Sequence, residues 1–139
     1  MTVRTWLVSI SLEECERLLA GAELGRLGVV VDGRPEIFPV NHVFDEAGHS
    51  VLFPSCRDGT KLEAALDWPW VAFEVDGEDP EVGGWSVLVV GHAEEVTDPE
   101  AIACAVRRRH VPWGSPETAR WIRIVPAKTT GRRISAVAA

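Results

Sequence analysis

The sequence is short of cysteine, of positive charge and of long apolar runs, and each shortage argues against a class of protein. Cys15, Cys56 and Cys104 are an odd set, with no C-x-x-C pair among them. Neither a disulfide framework nor a structural zinc site is built from such spacing, and reduced thiols fit a cytoplasmic chain. The formal net charge is −7, which opposes a broad nucleic-acid-binding face because phosphate backbones need a positive footprint. One small anion held by local cations stays compatible with it. No apolar run approaches the length of a membrane span, and residues 1–11 lack the apolar stretch of a signal peptide. The expected location is the cytoplasm.

Catalytic signatures are missing as well. His42, His49, His92 and His110 do not stand at metal-ligand spacing. There is no G-x-S-x-G elbow and no G-x-x-x-x-G-K-[ST] loop. The pair Gly25 and Gly28 is not a dinucleotide fingerprint, and no acid–base pair or nucleophile motif stands out. Neither an internal repeat nor a low-complexity segment is present. What remains is 139 residues with 46% apolar and 25% charged content, the composition of one ordinary globular domain. A chain of this size buries roughly two-thirds of its unfolded surface.

Local signals place the elements. Ser11 caps a predicted helix over 11–20, with Glu14 completing a capping box and Gly21 as the stop. Leu12, Cys15, Leu18 and Leu19 share one helical face. A strand is expected over 24–31, then an Asp32-Gly33 hairpin turn and a partner strand over 35–44. The partner's faces separate by parity, Ile37, Pro39, Asn41 and Val43 against Phe38, Val40, His42 and Phe44. Pro39 implies an edge or a bulge. Further strands are expected over 50–55, 70–76 and 85–96, the last interrupted by Gly91. Helices are expected over 58–66 and from Asp98 to about Arg109, with Asp98 as cap and Pro99 at the first helical position. Loops are read at 78–84 and 111–116, and a last strand over 117–125 and 131–134 breaks near Pro126. The tail from Ser135 is expected to fray. About six strands, short helices and no βαβ alternation describe a mainly β, antiparallel barrel with helices filling its gaps.

Four constellations bear on function. Arg57-Asp58-Gly59-Thr60-Lys61 follows a strand and opens a helix, where free amides, a hydroxyl and two cations suit a phosphate monoester. A capped surface helix with solvated charges explains the same residues. Phe38-Pro39-Val40-Asn41-His42 places a proline and an amide in an apolar strand, either to meet a heterocycle edge or as a simple bulge. Gly83-Gly84-Trp85-Ser86-Val87 puts an indole and a hydroxyl at the mouth of a long strand, to cover an aromatic cofactor or to pack in the core. In Gly131-Arg132-Arg133-Ile134 only one arginine faces inward, to pair with a phosphate or a flavin carbonyl, unless both are simply solvated.

Taken together, Cys15-Glu-Arg-Leu-Leu-Ala, Leu24-Gly-Arg-Leu-Gly-Val, Pro39-Val-Asn-His, Gly59-Thr-Lys-Leu, Phe73-Glu-Val-Asp, Trp85-Ser-Val, Gly91-His-Ala-Glu and Gly131-Arg-Arg-Ile resemble the pyridoxamine 5'-phosphate oxidase-like flavoproteins. The resemblance runs over nearly the whole chain. It implies a six-stranded split β-barrel that dimerises and binds FMN between subunits. It sets Pro39, Val40 and Asn41 along the isoalloxazine and Phe53 and Ser55 near the ribityl chain. Thr60 and Lys61 then hold the phosphate with Arg57 as helper, and Trp85 and Ser86 come from the facing subunit. Arg123, Arg132 and Arg133 are the candidates for a substrate phosphate. Relatives of this fold also take deazaflavin F420 or haem. The expected activity is an FMN-dependent oxidoreductase; a non-catalytic flavin sensor, an F420-dependent reductase and a cofactor-free dimer are the rivals.

Overall fold

The computed structural model describes residues 3–55, 60–68, 70–80, 83–108 and 120–138. Its strands are β1 (Val3–Ile10), β2 (Leu24–Val31), β3 (Arg34–Asn41), β4 (Val43–Asp45), β5 (Ser50–Ser55), β6 (Trp70–Asp79), β7 (Gly83–Val96) and β8 (Arg120–Ala138). Three helices intervene, α1 (Leu12–Gly21), α2 (Thr60–Asp67) and α3 (Pro99–Arg108). The strands form one antiparallel sheet in the order β3-β2-β6-β7-β8-β5-β4, with β1 on the other part of β8. The end of β3 comes round to β5, so the sheet curls into a half-barrel.

The β2–β3 turn shows why the hairpin was readable. Asp32 and Gly33 both have positive φ, 51° and 76°, the conformation a two-residue turn between twisted strands requires. Pro39 lies on β3, an edge strand, where its missing N–H costs no ladder bond. At Gly91 a Cβ would stand 2.2 Å from the Val125 carbonyl oxygen. That close approach accompanies a register shift: Val90 pairs with Lys128 and Gly91 with Pro126, leaving Ala127 as the extra residue of a bulge.

Several expectations are corrected. The described residues hold eight strands, not six. Residues 3–10 form β1, paired with the tail expected to fray, Ile10 against Gly131 and Val3 against Ala138. The strand expected over 35–44 breaks at His42, where the chain turns from β3 into β4. The last strand does not break near Pro126; the bulge absorbs the proline and β8 continues. The loop expected at 78–84 is shorter because β6 runs to Asp79 and β7 starts at Gly83. Gly21 ends α1 from inside the helix, and the cap is Ala22 in extended backbone. The capping box is half made. Ser11 Oγ accepts from the Glu14 N–H at 3.1 Å, but the Glu14 carboxylate is taken by Arg17. At α3 the Asp98 cap accepts from the Glu100 N–H at 3.1 Å, as expected. Asp58, Gly59 and the 111–116 loop lie outside the described residues.

Two apolar clusters result. The larger fills the concave side of the sheet with Leu27, Val40, Phe53, Phe73, Val87 and Ile124, closed by Cys15 and Leu19 of α1 and Ala64 and Ala65 of α2. The smaller sits under α3, where Val43, Leu52, Val96 and Ala105 surround Trp121.

Candidate functional site

The β-ladder brings two of the sequence constellations together. β4 pairs with β5 as Val43 against Leu52. β3, which ends one residue before β4 begins, also comes into contact with β5. α2 begins with Thr60 and Lys61, with residues 56–59 between it and the end of β5. The ends of β3 and β5 and the start of α2 therefore share one end of the fold. A helix start carries backbone N–H groups that have no partner within the helix.

Burial sorts the side chains of this region. Val40, Phe53 and Ser55 are buried, and Val40 and Phe53 belong to the main core. The side chains of Val40 and Phe53 support the site from behind, and what these two residues present outward is backbone. Pro39 is exposed and Asn41 half-buried on the convex face. No hydrogen bond among the described residues engages the Asn41 amide. One residue on, His42 is buried; its Nε2 lies 2.9 Å from the Leu19 carbonyl oxygen and its ring meets Phe73 edge-on at 4.9 Å. Arg57 lies outside the described residues.

Trp85 and Ser86 are elsewhere in the protomer. Arg26 pairs with Glu74 between β2 and β6, and Asp76 pairs with Ser86 between β6 and β7. One row across the convex face therefore runs Asn41, Leu24, Asp76, Ser86, Arg132. Three strand spacings separate Asn41 from Ser86, on the order of 14 Å. Within one protomer the two ends do not meet.

The convex face between them is apolar with a charged centre. Ile37 is 70% exposed, Trp70 47% and Leu88 41%. Trp70 leans on the ring of His92, with centroids 3.8 Å apart. In the middle, Arg26 Nη1 donates to Glu74 at 3.0 Å and reaches Asp76 at 3.3 Å. Burial first, and then the neighbouring Asp76, push the Glu74 carboxyl above its usual range. The sequence reading missed this triad; its signal is the alternation of Glu74 and Asp76 in a stretch, residues 70–76, that is otherwise apolar.

The three candidate arginines diverge. Arg132 shares the convex face with Ser86, Arg133 pairs with Trp85 at the opposite parity, and Arg123 faces a cavity beneath α3. Among the described residues no helix is long and apolar enough to cross a membrane.

Comparison with known proteins decides the family. The model of the family described as pyridoxamine 5'-phosphate oxidase matches residues 11–133. The chain belongs to that family. A relative from Mycobacterium tuberculosis, the uncharacterized protein Rv0080, is 35% identical over 133 residues, covering 93% of this chain and 86% of its own. The FAD binding protein from Mycobacterium smegmatis superposes with a TM-score of 0.77 at 37% identity, over 91% of this chain and 98% of that one. An FAD-binding protein from Mesorhizobium loti gives a TM-score of 0.81 at 26% identity, over 95% of this chain and 99% of that one. These likenesses match the mainly β, antiparallel split-barrel fold with short helices.

Proposed function

We propose that the chain binds a flavin, FMN, between two copies of itself and acts as an oxidoreductase. The observation that carries this reading is the meeting of the β3 end, the β5 end and the start of α2, in a chain whose family model covers 123 positions, 11–133. These residues fit a flavin. Asn41 brings an amide with no hydrogen-bond partner among the described residues, able both to donate to and to accept from a heterocycle edge. Pro39 keeps the strand edge free of further pairing. The first turn of α2, with Thr60 and Lys61, offers N–H groups and charge to a phosphate.

A flavin, when bound, supplies the hydride or electron transfer. The chain's part is to orient it and keep water from one face. Val40 and Phe53 make the backing of the site rigid, because both are packed in the core. Ser86, lying far from Asn41 in one protomer, supports a site completed by a second copy, while the Trp85 side chain packs against the main core. The exposed Ile37, Trp70 and Leu88 form an apolar convex face of the kind that two copies bury. The edge of β3 is itself a poor contact, since Arg34, Pro35, Glu36 and Pro39 discourage strand addition.

FAD is the second reading, favoured by the two relatives named as FAD-binding. Titrating the purified protein with FMN and with FAD separates the two by affinity. A stoichiometric complex with either supports flavin binding, and binding of neither contradicts it. Oxidation of a reduced nicotinamide by the loaded protein then distinguishes an oxidoreductase from a flavin carrier or sensor.

A further inference from the structure

We infer that the cavity between α3 and the β4–β5 hairpin binds a small organic monocarboxylate on the guanidinium fork of Arg123. The cavity has a volume of about 260 Å³. Its floor is apolar, made by Val43, Leu52, Ala101 and Ala105. None of the residues expected to hold a flavin lines it, so the inference does not depend on the flavin reading.

The argument begins with how this protein uses its arginines. Arg17 turns its Nε and Nη2 edge onto the two oxygens of Glu14, and Arg120 does the same to Glu95. That edge carries two parallel N–H bonds and matches a carboxylate. Arg123 presents the same edge without a match. Its Nε is buried and has no hydrogen-bond partner. Its Nη2 stands 3.8 Å from Asp45 Oδ2, an ion-pair distance too long for a hydrogen bond. Buried donors without acceptors are rare and costly, so the fork is organised for an oxygen pair the protein does not supply.

The rest of the lining defines the ligand. Arg108, held by its Nη1 bond to the Phe44 carbonyl at 3.0 Å, adds a second positive charge. Asp45, Asp98 and Glu100 also border the cavity and repel a phosphate dianion more than a singly charged carboxylate. Asp98 is engaged as the α3 cap. Asp45 Oδ2, at ion-pair distance from Nη2, is the acidic oxygen next to the fork, and an incoming carboxylate displaces it to reach the buried Nε. The apolar floor receives the hydrocarbon body.

Benzoate is a suitable probe, with inorganic phosphate as the charge-only comparison. Binding is read by calorimetry and by the rate at which the exposed Cys104 thiol at the cavity wall is alkylated. Benzoate is expected to bind the full chain and to slow Cys104 alkylation, with phosphate much weaker. Arg123→Met should weaken benzoate by about ten-fold or more, the value of a charge-assisted pair. It should fold as well as the parent, since Nε gives up no hydrogen bond. Should it fail to fold, Arg123→Lys keeps the charge without the fork and should show the same weakening. Asp45→Asn should tighten benzoate. No binding at tens of millimolar, parental affinity in both Arg123 variants, or phosphate binding as well as benzoate would each overturn the assignment.

Discussion

The ring of His42 and the main chain of Leu19 are joined by a 2.9 Å hydrogen bond from Nε2 to the carbonyl oxygen. It fastens the last turn of α1 to the bend between β3 and β4, one residue past Asn41. The main chain adds a second tie, since the His42 N–H donates to the carbonyl of Glu23, just before β2, at 3.1 Å. With Nε2 as donor, Nδ1 carries the lone pair, and it is buried without a partner.

A pH dependence follows from that geometry. Protonating His42 would bury an imidazolium whose second N–H has no acceptor, and burial holds its pKa below the ordinary 6.5. Well above that pH both the folded and unfolded chains hold a neutral ring. Below it the unfolded chain takes up a proton that the folded chain refuses, so stability falls as pH drops from 6.5 towards the folded-state value. The slope approaches about 1.4 kcal/mol per pH unit within that window. His42→Gln keeps a donor for Leu19 without titrating. Urea midpoints at about pH 8 and about pH 5.5 should diverge in the parent and converge in the variant.

The core beneath the proposed site tolerates little loss of volume. Phe73 is fully buried and packs against the His42 ring edge. Phe73→Ala should cost about 3–5 kcal/mol, the range for a buried aromatic truncated to alanine. Thermal unfolding measures it, and a loss under about 1 kcal/mol would mean that the core rearranges to fill the space.

Lys61 stands at the start of α2, where the proposed phosphate contact lies. Lys61→Ala should weaken FMN by about 1.5–3 kcal/mol, the scale of a hydrogen bond to a charged group. Quenching of flavin fluorescence on titration gives the affinity. An unchanged value would remove the phosphate assignment.

The elements legible in the sequence were those set by local chemistry. Asp32-Gly33 announced its turn because few other residues take positive φ, and Asp98-Pro99 announced α3 because cap and first-turn requirements are local. β1 was passed over because its partner is the far C-terminal stretch, a pairing no local signal carries. Pro126 suggested a break because its missing N–H normally ends a ladder; the extra residue Ala127 removes that conflict. In the site, the motifs were readable but their geometry was not. The contact of β3 with β5 depends on how the chain folds back between them, and the dead-ended fork of Arg123 depends on where Asp45 falls.

The proposed site requires two copies and one flavin for each. The most direct test is size-exclusion chromatography with light scattering on the protein incubated with FMN, following protein and flavin absorbance together, for the parent and for Ile37→Asp. The account predicts that the parent elutes at dimer mass with one flavin per protomer. It predicts that a charge at Ile37, exposed on the edge strand β3 of the apolar convex face, gives monomers that lose the flavin. A parent that is monomeric and still carries flavin, or a dimer that retains none of it, would contradict the shared site.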